Sequence, residues 1–151
     1  MYSLPYFKEK DPAKVLDFIR DHPFAFICGS DANARPVATQ IPCFIEDRGE
    51  DLFLSGHIMK QTDHHLAFEQ NPNVLAVFTG AHTYVSASWY TNKQTASTWN
   101  YMSVHAKGRI RFLDEAALMQ ILRYTTDFFE DDPSSPASFD RLPPDYVQKL
   151  S

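Results

Sequence analysis

The densest chemistry in the sequence lies between Tyr84 and Tyr101, YVSASWYTNKQTASTWNY, where five aromatic rings stand among serines, threonines, asparagines and a glutamine. Buried polar groups need hydrogen-bond partners. A planar cofactor with a polar rim would supply them, since aromatic side chains pack a flat ring while amides and hydroxyls meet its edge. A core corner or a subunit interface rich in Trp and Tyr would have the same composition. Downstream, His105, Lys107, Arg109 and Arg111 alternate with Val104, Ala106, Gly108, Ile110 and Phe112, so an extended chain separates them onto two faces. One face packs. The other presents a positive row, either a solvated sheet face or a wall that meets phosphate through charge-assisted hydrogen bonds.

Other reactive groupings are sparse. The sequence holds no nucleophile elbow, no phosphate-binding glycine loop and no metalloprotease histidine pair. His64 and His65 are neighbours on a predicted helix, where adjacent side chains diverge by roughly 100°. They read as surface or interface histidines, and no metal is expected. Cys28 and Cys43 sit in apolar runs without Cys-x-x-Cys spacing, as buried small hydrophobes in a reducing compartment.

The elements that must position these groups follow from periodicity and punctuation. Asp11 as N-cap and Pro12 at the first helical position open a helix to Asp21, which His22-Pro23 ends. Phe24 to Gly29 is a short apolar strand, and Ser30 to Asn33 a turn. Val37 to Glu46 is a strand in which Pro42 requires an edge position or a break in the ladder. After a turn at 47–50, Asp51 to Gly56 forms another strand and Lys60 to Gln70 a short helix. Val74 to Thr79 reads as a central strand with Thr83 to Ser88 paired beside it, then the alternating strand Val104 to Phe112. Asp114 caps a helix from Glu115 to about Asp131, its buried stripe formed by Leu118, Ile121, Leu122, Thr125, Phe128 and Phe129. The Pro- and Ser-rich stretch beyond it is an extended tail held by Phe139, Leu142 and Tyr146. Strands gathered between a leading and a trailing helix predict a mainly β fold with flanking helices, an antiparallel β-barrel rather than a doubly wound parallel sheet.

Bulk properties narrow the function classes. At 151 residues the chain has the size of one domain, and with 44% hydrophobic residues it can bury a core without metal or disulfide. A net charge of −5 and no helix with a basic face make direct nucleic-acid binding unexpected. The start MYSLPYFKEKDP lacks signal-peptide features, and no apolar run is long enough to span a bilayer. The expected location is cytoplasmic.

Several stretches together resemble a known family. They are Met1-Tyr2, Pro5-x-Phe7, Pro23-Phe24-Ala25, Ala38-Thr39-Gln40-Ile41-Pro42 and Gly56-His57-Ile58-x-Lys60. The strongest run is Val77-Phe78-x-Gly80-x-His82-x-Tyr84-Val85-Ser86, then Ser88-Trp89-Tyr90, Thr98-Trp99-Asn100-Tyr101 and Val104-His105 with Gly108. Over roughly residues 1–130 this resembles the PaiB-like FMN-binding proteins, a family associated in part with negative transcriptional regulation, within the pyridoxamine-phosphate-oxidase-like split barrels. The resemblance implies an FMN-binding split β-barrel over residues 1–132, with 133–151 as an extension packed on it. It further implies a homodimer with FMN at the subunit interface. Carried over residue by residue, it sets Thr39 and Gln40 on a strand beside the flavin and His57 and Lys60 near the ribityl phosphate. Ser86, Trp89, Trp99 and Asn100 line the cleft, with His105 on the following strand. Gln40 stands where the family usually has His, and Lys60 where it often has Arg; a lysine acts there as a flexible point charge. Relatives commonly continue beyond the last residue with a further strand region. The implied function is a flavin-dependent oxidoreductase with a small-molecule ligand or electron donor. The alternatives are a ligand-sensing or transcription-regulatory module without turnover, and a haem-binding split barrel with His57, His82 or His105 as axial ligand.

Overall fold

The computed structural model describes residues 4–48, 51–92, 94–132 and 134–143. After a short 3-10 turn at Pro5–Phe7 the order is α1 (Pro12–Asp21), β1 (Phe24–Ser30), β2 (Pro36–Pro42), β3 (Phe44–Arg48), β4 (Asp51–Ser55), α2 (Asp63–Gln70), β5 (Asn73–Val85), β6 (Thr98–Arg109) and α3 (Glu115–Glu130). No helix among the described residues is long and apolar enough to cross a membrane.

The helix starts follow the sequence chemistry. Asp11 caps α1 by accepting from the Ala13 N–H, with Pro12 just inside. Asp114 caps α3 by accepting from the Ala117 N–H. The short α2 begins three residues later than its sequence suggests, because Thr62 takes the cap and accepts from the His65 N–H.

The strands do not close into a barrel, and the split-barrel expectation is corrected here. β2, β1, β5 and β6 form an antiparallel four-stranded sheet in that order, while β3 and β4 form a separate hairpin. Pro42 accounts for much of the division. It ends β2, the Cys43 N–H makes one last bond to the Pro23 carbonyl at 2.8 Å just before β1, and the chain then passes into β3 of the other sheet. The predicted strand Val37–Glu46 is therefore two strands in different sheets. β2 and β6 remain as edges, and Pro36 and Pro42, which lack an N–H, lie at the two ends of the edge strand β2.

Two further expectations change. Thr83–Val85 is not a separate strand beside Val74–Thr79 but the continuation of β5 through an irregularity, and both halves pair with β6. The strand predicted at Val104–Phe112 begins six residues earlier and ends at Arg109.

The core lies on one face of the large sheet. Ala25, Ile27, Ala76 and Phe78 meet Ile19 of α1, Phe68 of α2 and Cys43, and Phe68 and Phe78 are fully buried. The close fit is visible at Gly29, where a methyl group would stand 2.8 Å from the Phe68 ring. Phe44 is buried against the rings of Tyr124, Phe128 and Phe129. The α3 stripe, expected to be buried, is only half covered: no described α3 residue is fully buried, and Phe128 and Phe129 are exposed. The helix lies at the hairpin and the tail rather than on the sheet. In the tail Phe139 is buried as expected, with the Arg123 guanidinium 5.1 Å from its ring centre and ion-paired with Asp140. Leu142 is half-buried, and Tyr146 lies outside the described residues. His65, expected at the surface, is buried against Phe112, whereas His64 lies between Thr62 and Asp63.

Candidate functional site

Directly opposed residues in an antiparallel pair share a face, so the register defines what the outer side of the sheet presents. One row crosses all four strands as Gln40, Phe26, Val77 and His105. The next row is Ala38, Cys28, Leu75 and Lys107, and Arg109 pairs with Asn73 one step further. This face is open in the single chain: Phe24 is 54% exposed and Phe26 43%. None of the four strands contains an Asp or Glu. A protein of net charge −5 therefore keeps its acids off this sheet entirely.

The register slips between Thr79 and His82. Thr79 pairs with Ser103 and His82 with Tyr101, so β5 spends one residue more than β6. Gly80 sits in this bulge because Phe18 of α1 and His22, which caps its end, occupy the space a side chain would need. The extra residue exchanges the faces of β5, bringing His82 and Tyr84 beside Trp99 and Tyr101. The His82 and Trp99 rings stack at 5.7 Å, and Tyr84 is 6.0 Å from Trp99. Trp99 remains 54% exposed. Beside the bulge lies a shallow cleft of about 250 Å³ lined by Ala81, His82, Thr83, Asn100, Tyr101 and Met102. That is smaller than the roughly 300–1,000 Å³ of ligand pockets that enclose their ligands, so a flat ligand would remain partly uncovered here.

A second group lies at the same end of the sheet. Because β1 begins at Phe24, the distal arm of β5 and β6 runs on past it, on the side where Pro42 ends β2. Gly56 holds the following loop against that end, since a methyl there would stand 2.7 Å from the Pro42 carbonyl oxygen. The loop carries His57 and Lys60 toward α2. His57 is half-buried, and its burial pushes the imidazole below its ordinary value of 6.5. Lys60 is exposed.

The expected site residues thus separate by face. Gln40, His105 and Trp99 lie on the outer side, His57 follows Gly56 at the adjoining end, and Lys60 lies three residues further along the same loop. Thr39 does not join them: it pairs with Ile27, on the core side of β2. Asn100 lies on the other face of the arm from Trp99 but lines the cleft. Ser86 spends its hydroxyl oxygen capping the short turn Ala87–Trp89, accepting from the Ser88 N–H. Trp89, on that turn, is 72% exposed. Phe24 and Phe26 were missed by reading the sequence for a site. The alternation Phe24-Ala25-Phe26-Ile27 carried the signal, an aromatic face opposite a core face.

Residues 1–151 match the protein family described as "Putative FMN-binding domain". The chain belongs to this FMN-binding domain family. It falls within the pyridoxamine-phosphate-oxidase-like superfamily, although its own sheets are not closed. The chain is 27% identical over 148 residues to Protease synthase and sporulation protein PAI 2 of Bacillus subtilis (strain 168), covering 98% of this chain and 70% of that protein. Among solved structures it resembles a protein from Bacteroides thetaiotaomicron VPI-5482 described as a "putative 5-nitroimidazole antibiotic resistance protein". The TM-score is 0.60 at 16% identity, over 84% of this chain and 71% of that one. It also resembles HutZ, the haem storage protein of Vibrio cholerae, with a TM-score of 0.52 at 13% identity, over 91% of this chain and 79% of that one. At such identities the likeness extends to the fold alone.

Proposed function

We propose that this member of the family binds FMN at the distal arm and outer sheet face and serves as a flavin-dependent oxidoreductase. The observation that carries the reading is the exposed ring cluster of His82, Tyr84, Trp99 and Tyr101 on an acid-free sheet. The donor set fits the group. Exposed aromatic faces suit a flat ring, the Gln40 and Asn100 amides suit its polar rim, and Lys60 suits an anionic ribityl phosphate. His57, held toward its neutral form by burial, offers a ring N–H without a full charge. His105 borders the ring on β6, and Trp89 stands at the tip of the arm. Ser86 acts by holding the turn that carries Trp89. Thr39 can reach a ligand only through the backbone of edge strand β2. Bound FMN would supply electron transfer, while these residues bind it and set its orientation. The open aromatic surface at Phe24 and Phe26 supports a homodimer in which the second copy covers the cofactor.

The test is the absorption spectrum of the purified protein, followed by titration with FMN and then a nicotinamide donor. Stoichiometric uptake with steady donor oxidation supports the oxidoreductase. Uptake without turnover supports the second reading, a ligand-sensing module on the same open aromatic face. A Soret band would move the assignment to haem. A colourless protein that ignores FMN would end the flavin reading.

A further inference from the structure

The two edges of the four-stranded sheet are unlike. β2 carries Pro36 and Pro42 at its ends, which limits what can pair there. β6 runs for twelve residues without a proline, and among the described residues only β5 pairs with it. Its outward N–H and C=O groups are a template for another strand. Edge lysines commonly block such pairing, but here the basic residues His105, Lys107 and Arg109 occupy one half of the strand, and Thr98 to Val104 carries no charge. That uncharged half exposes Trp99, Tyr101 and Met102.

Gly108 is a separate sign. A methyl group on it would meet nothing within 4 Å, and its φ lies outside the left-handed region. Nothing inside the chain requires a glycine there, whereas a glycine within a strand often marks the close approach of another backbone.

We propose that β6 pairs antiparallel with β6 of a second copy, about a two-fold axis at Ser103. On the outer side this register sets Trp99 opposite Lys107 of the second copy, and Tyr101 opposite its His105. On the other side Met102 meets Val104, Asn100 meets Ala106, and Thr98 meets Gly108. Each contact occurs twice by symmetry. Directly opposed side chains are the unit of sheet stabilisation, and a lysine against an indole is a favourable cation–aromatic pair. A parallel, in-register pairing would instead oppose Lys107 to Lys107. An acidic strand would match only the basic half. The axis stands perpendicular to the sheet, so the two outer faces join and both aromatic arms lie on one surface. Phe24 and Phe26 stay open, so this contact is distinct from the cover proposed for the cofactor and does not depend on FMN.

The test compares Ser103→Cys with Lys107→Cys, each combined with Cys28→Ser, oxidised without FMN and run on a non-reducing gel. Ser103→Cys is expected to form a covalent dimer, because the position opposes itself at a Cβ separation of about 4.5–5.5 Å. Lys107→Cys is expected to stay monomeric, because its two copies would lie about 27 Å apart, at about 3.4 Å per residue. Sedimentation of the wild type and Lys107→Glu, with circular dichroism verifying the fold, is expected to show a dimer dissociation constant about tenfold higher in the variant, the scale of two lost cation–aromatic contacts. Cross-linking of both cysteine variants or of neither, a monomeric wild type, or an unchanged constant in Lys107→Glu overturns the pairing. A glutamate-rich peptide that protects the β6 amides from hydrogen exchange while the protein stays monomeric would assign the edge to an acidic strand and overturn the second copy. The flavin reading fails separately: a protein that ignores FMN yet cross-links at Ser103→Cys ends that reading and keeps this contact.

Discussion

Gly80 lies so close to Phe18 that a methyl group on it would stand 2.7 Å from Cε2 of the ring, and 3.2 Å from Nε2 of His22. The obstacle is rigid. Phe18 and His22 stack at 4.4 Å, and the His22 Nδ1–H donates to the Phe18 carbonyl oxygen at 3.0 Å. The end of α1 therefore meets the backbone at the bulge that turns His82 and Tyr84 toward Trp99.

Gly80→Ala is expected to destabilise the fold by about 1–3 kcal/mol, the usual cost of forcing an extra carbon into a packed site. It should also weaken FMN uptake, because relieving the contact moves the bulge. Urea unfolding and FMN titration measure the two effects. Unaltered stability would mean that α1 yields freely and does not hold the arm.

Trp99→Ala tests the ring cluster directly. Trp99 is half-exposed, so its truncation should change stability by only about 0.5 kcal/mol. FMN affinity should nevertheless fall about tenfold, and Trp99→Phe should restore much of it, because the loss is one of aromatic contact. Equal affinity in all three proteins would place the flavin elsewhere.

His57 predicts a pH dependence of stability. Burial lowers its folded value below the ordinary 6.5, so the unfolded chain takes up this proton more readily than the folded one. This contribution to stability is fully present above the ordinary value and is lost as pH falls through 6.5 toward the lower folded value. His57→Gln should flatten the dependence in that window, read from urea midpoints over a pH series. The same slope in the variant would assign the effect to another group.

Burial pushes the Cys43 thiol up to about 12, and its side chain belongs to the core. Thiolate is the reactive form, so iodoacetamide at neutral pH should spare Cys43 in the folded protein and modify it in denaturant. Peptide mass spectrometry separates it from Cys28, which is half-buried on the outer face. Rapid labelling of Cys43 under native conditions would show that the contact between hairpin and sheet opens readily.

Much of the secondary structure was legible because its signals are local. Asp11-Pro12 and Asp114 fix helix starts through neighbouring N–H groups, and alternation along β6 separates Lys107 from Ala106 whatever lies beside them. Pro42 announced either an edge or a break, and both occur. The family resemblance likewise lay in the residues themselves. Tertiary structure decided what depends on partners distant in sequence. The barrel did not follow from a series of strands, because closure requires the edges to meet, whereas β3 pairs with β4 and leaves β2 and β6 as edges. The burial of α3 could not be read from its apolar stripe, because coverage depends on where the hairpin and tail lie. The membership of the aromatic face turned on one extra residue in β5, which exchanges the sides of every residue beyond it. Thr39 and Gln40, adjacent in the sequence, were expected to share one site; the sheet set them on opposite faces because side chains alternate along a strand.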